Sequence, residues 1–249
     1  MDPIVKRNKL SSIIISLLFL LASVTALSQT TSQGGVFVLG GIHQSHERAK
    51  TYTYSRMGEI YRELKPDILL VETQPKYVLD KSFKGTPFDF IKFMIPLAQK
   101  DSTPIYGIDW WDNTKGEEWM QRQKDFFHDT TYSSEIELLG NLFSMLNNYF
   151  VEKDFTEINS TLITNIWKAK NEFKYSLMEQ SLTYKTIAAY EKERNKNIVA
   201  NILEIVRRYP DKKILIAIGI DHKYFIEDRL KENGIKVYQP DEIEEFKKH

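Results

Sequence analysis

Two segments of this chain put a histidine in the same setting. Val36-Phe-Val-Leu-Gly40-Gly41-Ile42-His43 and, about 180 residues later, Ile214-Leu-Ile-Ala-Ile-Gly219-Ile220-Asp221-His222 each join an apolar run of strand length to Gly-x-x-His, with helical character beyond. The glycine is expected to let the chain turn tightly where the strand ends. A histidine at the carboxyl end of a buried strand stands where open α/β sheets place ligands and chemistry. Two such units predict one site assembled from two halves of the fold, with His43 and His222 as a metal-binding or acid–base pair. The plainer alternative is two strand-end histidines hydrogen-bonded for structural reasons.

Two carboxylates repeat the arrangement. Glu72 closes Asp67-Ile-Leu-Leu-Val71-Glu72, and Asp109 closes Tyr106-Gly-Ile-Asp109. An acid at the end of a buried strand has to be paired, coordinated or solvated in a cleft. Glu72 is therefore read as a metal ligand or general base, against a strand-end Glu that simply reaches water. Asp109 is read as a further ligand, against a helix cap, and Trp110-Trp111 beside it would wall a cleft. Arg194 stands out by phase. Ile187, Glu191, Arg194, Ile198, Ile202 and Ile205 recur at helical spacing, which puts the guanidinium within an apolar stripe. There it needs an anion or a route to water. It is expected to clamp a substrate carboxylate or an oxyanion, with Glu191 one turn away as the competing partner. Asn195, off the stripe, is a secondary substrate contact. His46, three residues after His43, shares its face if that segment is helical, and is another.

Other chemistries lack their residues. There is no cysteine, so neither disulfides nor thiolates contribute. The Gly-x-Ser-x-Gly elbow, the Gly-x-x-x-x-Gly-Lys phosphate loop, Gly-x-Gly-x-x-Gly and His-Glu-x-x-His are all missing.

The elements that must carry these residues can be read in order. Strands are expected at Val36–Leu39, Ile68–Val71, Pro104–Ile108, Ile214–Ile218 and Ile235–Tyr238. Met57, Ile60, Tyr61 and Leu64 mark a helix stopped by Pro66, and Phe90, Phe93, Met94 and Leu97 mark another whose end Pro96 perturbs. From about 117 to 208 the chain has helical character and is read as an inserted or capping region, its last helix spanning Thr183–Arg208. His222 opens a helix that Asn233-Gly234 ends. The near-continuous apolar strands suit a sheet covered on both faces. The expected fold is α/β: a mixed, mainly parallel central sheet flanked by helices, a pseudo-repeat of strand–Gly-x-x-His–helix units and an α-helical insertion.

At the N-terminus, Lys6, Arg7 and Lys9 precede an apolar run, Ile13–Leu27, and Ala26-Leu27-Ser28 reads as a cleavage site. Residues 1–28 are thus expected to be a signal peptide and 29–249 a single domain, secreted or periplasmic; an uncleaved membrane anchor is the alternative. The 34 acidic and 34 basic residues, less Asp2, Lys6, Arg7 and Lys9, leave the remainder two charges negative. That balance gives no footprint for nucleic acid, and no stable membrane insertion is expected after cleavage.

Gly40-Gly-Ile-His43, Pro66-Asp67-Ile-Leu-Leu-Val-Glu72, Glu193-Arg194-Asn195 and Gly219-Ile-Asp-His222 together resemble the TraB, PrgY and GumN superfamily, which includes the TIKI metalloproteases and, more distantly, erythromycin esterases and haem-binding ChaN proteins. The order and spacing match from about residue 35 to 240. Two positions depart: Gly41 stands where the family usually has Thr, and Asp221 precedes the second histidine. The resemblance implies that both histidines, Glu72 and Arg194 line one cleft. It also implies a peptidase dependent on a divalent ion, Mn or Co in the family; by ligand type Zn fits as well, and the ion is expected to be held by His43 and His222 with help from Glu72 or, by its position alone, Asp109. In that mechanism the ion activates water, Glu72 shuttles the proton, Arg194 stabilises the oxyanion, and Arg194, Asn195, His46 and Trp110 contact a peptide or small-molecule substrate. The rivals are a metal-free hydrolase of esterase type, in which a histidine activates water and Glu72 orients it, and a non-catalytic binder of haem or peptide with the same cleft.

Overall fold

The computed structural model describes residues 34–248, so the expected signal segment lies outside the described residues. Five strands, β1 (Gly35–Gly41), β2 (Ile68–Val71), β3 (Ile105–Gly107), β4 (Lys213–Gly219) and β5 (Val237–Tyr238), form one sheet in the order β3-β2-β4-β1-β5. Every pairing is parallel, so the expected mixture narrows to a purely parallel sheet. The β-branched and Leu-rich strands leave almost no polar side chain in the sheet, which is what coverage on both faces demands.

Among the described residues, eleven α-helices accompany the strands. These are α1 (Tyr54–Leu64), α2 (Pro75–Leu79), α3 (Phe88–Phe93), α4 (Ile95–Lys100), α5 (Asn113–Phe127), α6 (Ser133–Glu152), α7 (Phe155–Ile158), α8 (Thr161–Gln180), α9 (Lys185–Arg208), α10 (Ile220–Glu232) and α11 (Ile243–Lys248). α1 starts at Thr53, whose hydroxyl accepts the Arg56 N–H, and ends at Lys65 in the left-handed region, with Pro66 barring continuation. Pro96 does not fray the end of a helix as expected. It lies in the first turn of α4, where a missing N–H costs nothing.

Strand alternation sorts the core onto two faces. Phe37, Leu39, Leu69, Val71 and Leu215 pack under α1, α3, α6 and α8 through Met57, Phe90, Leu146 and Trp167. Val36, Val38, Leu70, Ile216 and Ile218 pack under α9 and α10 through Ile198, Ile202, Ile226 and Leu230. Each such fully buried Leu or Ile contributes about 1.5–3 kcal/mol over an exposed one. The helical block between β3 and β4 also holds a small core of its own, with Phe126, Leu139, Met178 and Tyr184.

One topological fact positions the site. β1 and β4 are neighbours in register, with Gly41 beside Gly219. From β1 the chain crosses over to β2 on one side, and from β4 it crosses to β5 on the other. Diverging connections open a crevice at the carboxyl ends of such a strand pair. The two Gly-x-x-His units open into that crevice from adjacent strands.

Candidate active site

His43 leaves β1 at the start of a 3-10 turn spanning His43–Glu47, with φ 47°. That left-handed backbone is uncommon outside glycine and costs about 1–3 kcal/mol where the surroundings hold it. Here the surroundings include Asp89, in the first turn of α3 and fully buried. Its carboxylate receives His43 Nδ1 at 3.2 Å. His46 braces the same carboxylate from behind, with Nε2 3.4 Å from Asp89 Oδ2. His46 Nδ1 donates to the Tyr52 carbonyl at 2.5 Å, and its Nε2 lies 3.2 Å from the Ile42 N–H. His46 is 1% exposed, so it acts within the wall of the cleft and does not face substrate.

With Nδ1 committed to Asp89, His43 Nε2 faces the crevice. The ring is 42% exposed, and Nε2 stands 3.9 Å from Glu72 Oε2. Burial opposes protonation of His43, but the Asp89 hydrogen bond and the Glu72 charge raise its pKa from 6.5 to about 9. The partner is affected in the opposite sense. Burial would raise Asp89, yet the hydrogen bond from His43 and the close approach of His46 hold it well below the usual carboxylate range.

Glu72 follows β2 and is held at both oxygens. Oε2 accepts the Gly219 N–H at 2.7 Å, and Oε1 accepts Arg194 Nη2 at 3.1 Å. Burial works against its ionisation, but the charges of His43 and Arg194 and the Gly219 N–H keep its pKa below the ordinary value. Arg194, on α9, also donates Nε to Asp109 Oδ1 at 2.9 Å, and its Nη1 lies 3.2 Å from His222 Nε2. Because a guanidinium only donates, His222 Nε2 is the acceptor there. His222 Nδ1–H then donates to Asn195 Oδ1 at 2.7 Å. Arg194 therefore answers the phase argument with Glu72, Asp109 and His222, not with Glu191. Asn195 is buried and serves as the orienter of His222.

The glycines at the two strand ends are explained by room, not by the turn that was expected. None of Gly40, Gly41 and Gly219 has positive φ, and a Cβ on Gly40 would stand 3.1 Å from Asn159 Oδ1 and from the Ile220 side chain. A Cβ on Gly219 would stand 2.6 Å from His43 Nε2 and 3.3 Å from Glu72 Oε2. A Cβ on Gly41 would stand 2.6 Å from Asp89 Oδ2. Glycine is required because a neighbouring functional side chain approaches the backbone. Gly40 is clamped as well: its N–H donates to Asn159 Oδ1 at 2.6 Å, and its carbonyl accepts the Tyr52 hydroxyl at 2.9 Å.

The predicted residues His43, Glu72, Asp109, Arg194, Asn195 and His222 come together, although their positions span half the fold. Trp110 packs against Tyr190, and it is Trp111 that lines the recess beside Asp109 and lies over Arg194. Asp221 turns to Lys170 Nζ at 3.3 Å. Sequence reasoning passed over Asp89 and Asn159. Asp89 carried the same signal as Arg194, a charge inside an apolar run, Phe88-Asp89-Phe90-Ile91. Asn159 carried none, since it sits in an unremarkable polar stretch.

As arranged, the donor set expected to hold a divalent ion does not fit one. Glu72 Oε1, Asp109 Oδ1 and His222 Nε2 all point at the Arg194 guanidinium, and among the described residues no three His, Asp or Glu donors are disposed around a single point. A protein cation occupies the focus of the carboxylates. No family model, curated protein or solved structure matches the chain.

Proposed function

We propose that this chain is an exported hydrolase of esters or amides in which His43 moves the proton. The observation that carries the reading is the pairing of buried Asp89 with His43 Nδ1, which leaves Nε2 facing the cleft 3.9 Å from an ionised Glu72. An imidazole aimed by a buried carboxylate is the arrangement that general bases use to take a proton from a nucleophile.

The 3.9 Å gap is too long for a direct hydrogen bond and suits a water held by both groups. In the proposed reaction His43 Nε2 takes a proton from that water as its oxygen attacks the carbonyl. The first-turn N–H groups of α10, Ile220 to His222, have no helical acceptor and belong to residues that line the same cleft. They stabilise the developing oxyanion, aided by the helix dipole. His43 then returns the proton to the leaving group. Arg194 works one step back: it keeps Glu72 ionised and His222 oriented.

The test is hydrolysis of a panel of simple esters and amides by the wild type, His43→Gln and Glu72→Gln. Turnover that His43→Gln abolishes and that persists in chelator supports the reading. Turnover unchanged in His43→Gln overturns it. A metal-dependent version is kept as a second reading because His43 Nε2 and His222 Nε2 both lie within 4.0 Å of Glu72. It requires Arg194 to leave its three partners, and loss of activity in chelator with recovery on adding Mn, Co or Zn would favour it. The resemblance to the TraB and GumN superfamily agrees with either version.

A further inference from the structure

The reactive pair stands between two recesses of opposite character. On the His43 side is a cleft of about 500 Å³ whose walls include five aromatic rings, Tyr54, Phe88, Phe143, Phe150 and Trp167. Phe150 stacks on Trp167 and Phe143 meets it edge-on, forming an aromatic corner. Phe88 and Phe143 are about half exposed, at 53% and 49%, so two large apolar rings face water at the mouth. On the Glu72 side is a recess of about 360 Å³ lined by Thr73, Gln74, Tyr77, Lys84 and Asn113, with Asp109 and Arg194 behind.

The charges in the second recess are unequal in their commitments. Glu72 and Asp109 are both paired to Arg194. Lys84 makes no ion pair among the described residues. Arg194 offsets one of the two acids and Lys84 the other, so the recess is balanced overall and its uncommitted charge is the Lys84 ammonium, which favours an anion beside it. Large exposed rings in a concave wall favour an apolar partner, because burying them removes apolar area from water.

We infer that the substrate is an amphiphilic ester or amide, with an aromatic or branched apolar half seated among Phe88, Phe143 and Trp167 and a short polar half ending in a carboxylate that reaches Lys84. This rests on the hydrolase reading for the bond between the two halves. That bond would lie over the His43–Glu72 pair and the water between them, since His43 lines one recess and Glu72 the other. A peptide ending in an apolar residue followed by a small C-terminal residue has this form.

The probes are 4-phenylbutanoylglycine, acetylglycine, which lacks the apolar half, and 4-phenylbutanoylglycinamide, which lacks the anion. Binding to the purified protein is measured by calorimetry, with turnover followed by mass spectrometry. The parent compound is expected to bind at least tenfold more tightly than either truncated probe. Phe143→Ala should remove most of the gain due to the phenyl group and spare the gain due to the carboxylate. Lys84→Glu should do the reverse. Both positions are solvent-facing, and unchanged melting temperatures would show that both variants fold. Equal affinity for parent and acetylglycine, or variants that shift both gains alike, would overturn the inference. Unselective turnover of esters that needs His43 would sink this inference and leave the hydrolase reading standing. Selective binding with no turnover of any ester or amide would keep the ligand class and discard hydrolysis.

Discussion

Replacing Arg194 with Met keeps the apolar length of the side chain and removes the one cation between Glu72 and Asp109. In the wild type that guanidinium is 9% exposed and donates to two carboxylates at 3.1 and 2.9 Å, each nearly as buried. Removing one partner of a buried ion pair costs about 3–5 kcal/mol, because the remaining charge stays desolvated. Against a total of about 5–15 kcal/mol for a domain, that is a large fraction. It corresponds to a fall in melting temperature of about 6–20 °C for a chain of this length. The cost should depend on pH with a definite sign. In the wild type the folded pKa of Glu72 is depressed, so its contribution is present above the unfolded carboxyl range and lost as pH falls through the folded value. In the variant, burial without the cation lifts that pKa above the unfolded one, and acid then favours the folded state. Urea unfolding at pH 7 and at pH 4.5 reads both, with an unchanged m-value confirming like-for-like comparison. A cost below about 1 kcal/mol at pH 7, or one that fails to shrink on acidification, would refute the account of Arg194 as the counter-ion of this site.

Further outcomes follow from the same geometry. If His43 acts as base, kcat/KM should climb about tenfold per pH unit from pH 7 and level near pH 9, and Asp89→Asn should move that limb toward neutrality with a lower plateau; a limb near pH 6.5 in the wild type would contradict the raised value. His43 also stabilises the fold only while its folded state binds the extra proton. Its contribution is complete below pH 6.5 and lost between 6.5 and about 9, so the stability difference between wild type and His43→Gln should narrow across that window in urea titrations. Gly219→Ala forces a methyl within 2.6 Å of His43 Nε2, and a loss of about 100-fold or more in kcat with a modest stability cost is expected; near-normal turnover would show that His43 is not held as described. Asn159→Ala strands the buried Gly40 N–H and should cost about 1–3 kcal/mol by chemical denaturation.

What could be read from the residues alone was whatever local pattern dictates. Strand-length apolar runs gave the sheet, because a strand buried on both faces has to be apolar throughout, and β2 begins and ends where it was expected. Helical phase singled out Arg194, because a charge within an apolar stripe has to find a partner. The two Gly-x-x-His units marked the site because a strand end repeated on two strands leaves the same trace twice. The reason for their glycines was not local. The turns need no positive φ, and it is the approach of His43 to Gly219 and of Asn159 and Ile220 to Gly40 that excludes a side chain.

Everything that depended on which elements become neighbours was decided by the tertiary structure. Asp89 reaches His43 because α3 packs beside the 3-10 turn, and nothing in the intervening sequence specifies that distance. Arg194 takes Glu72, Asp109 and His222 in preference to Glu191 one turn away, because α9 lies across the carboxyl ends of β2, β3 and β4. Residue type established that a carboxylate or a guanidinium would need a partner. Only the packing of helices on the sheet could choose the partner, since the cost of an unpaired buried charge is the same wherever its compensation comes from.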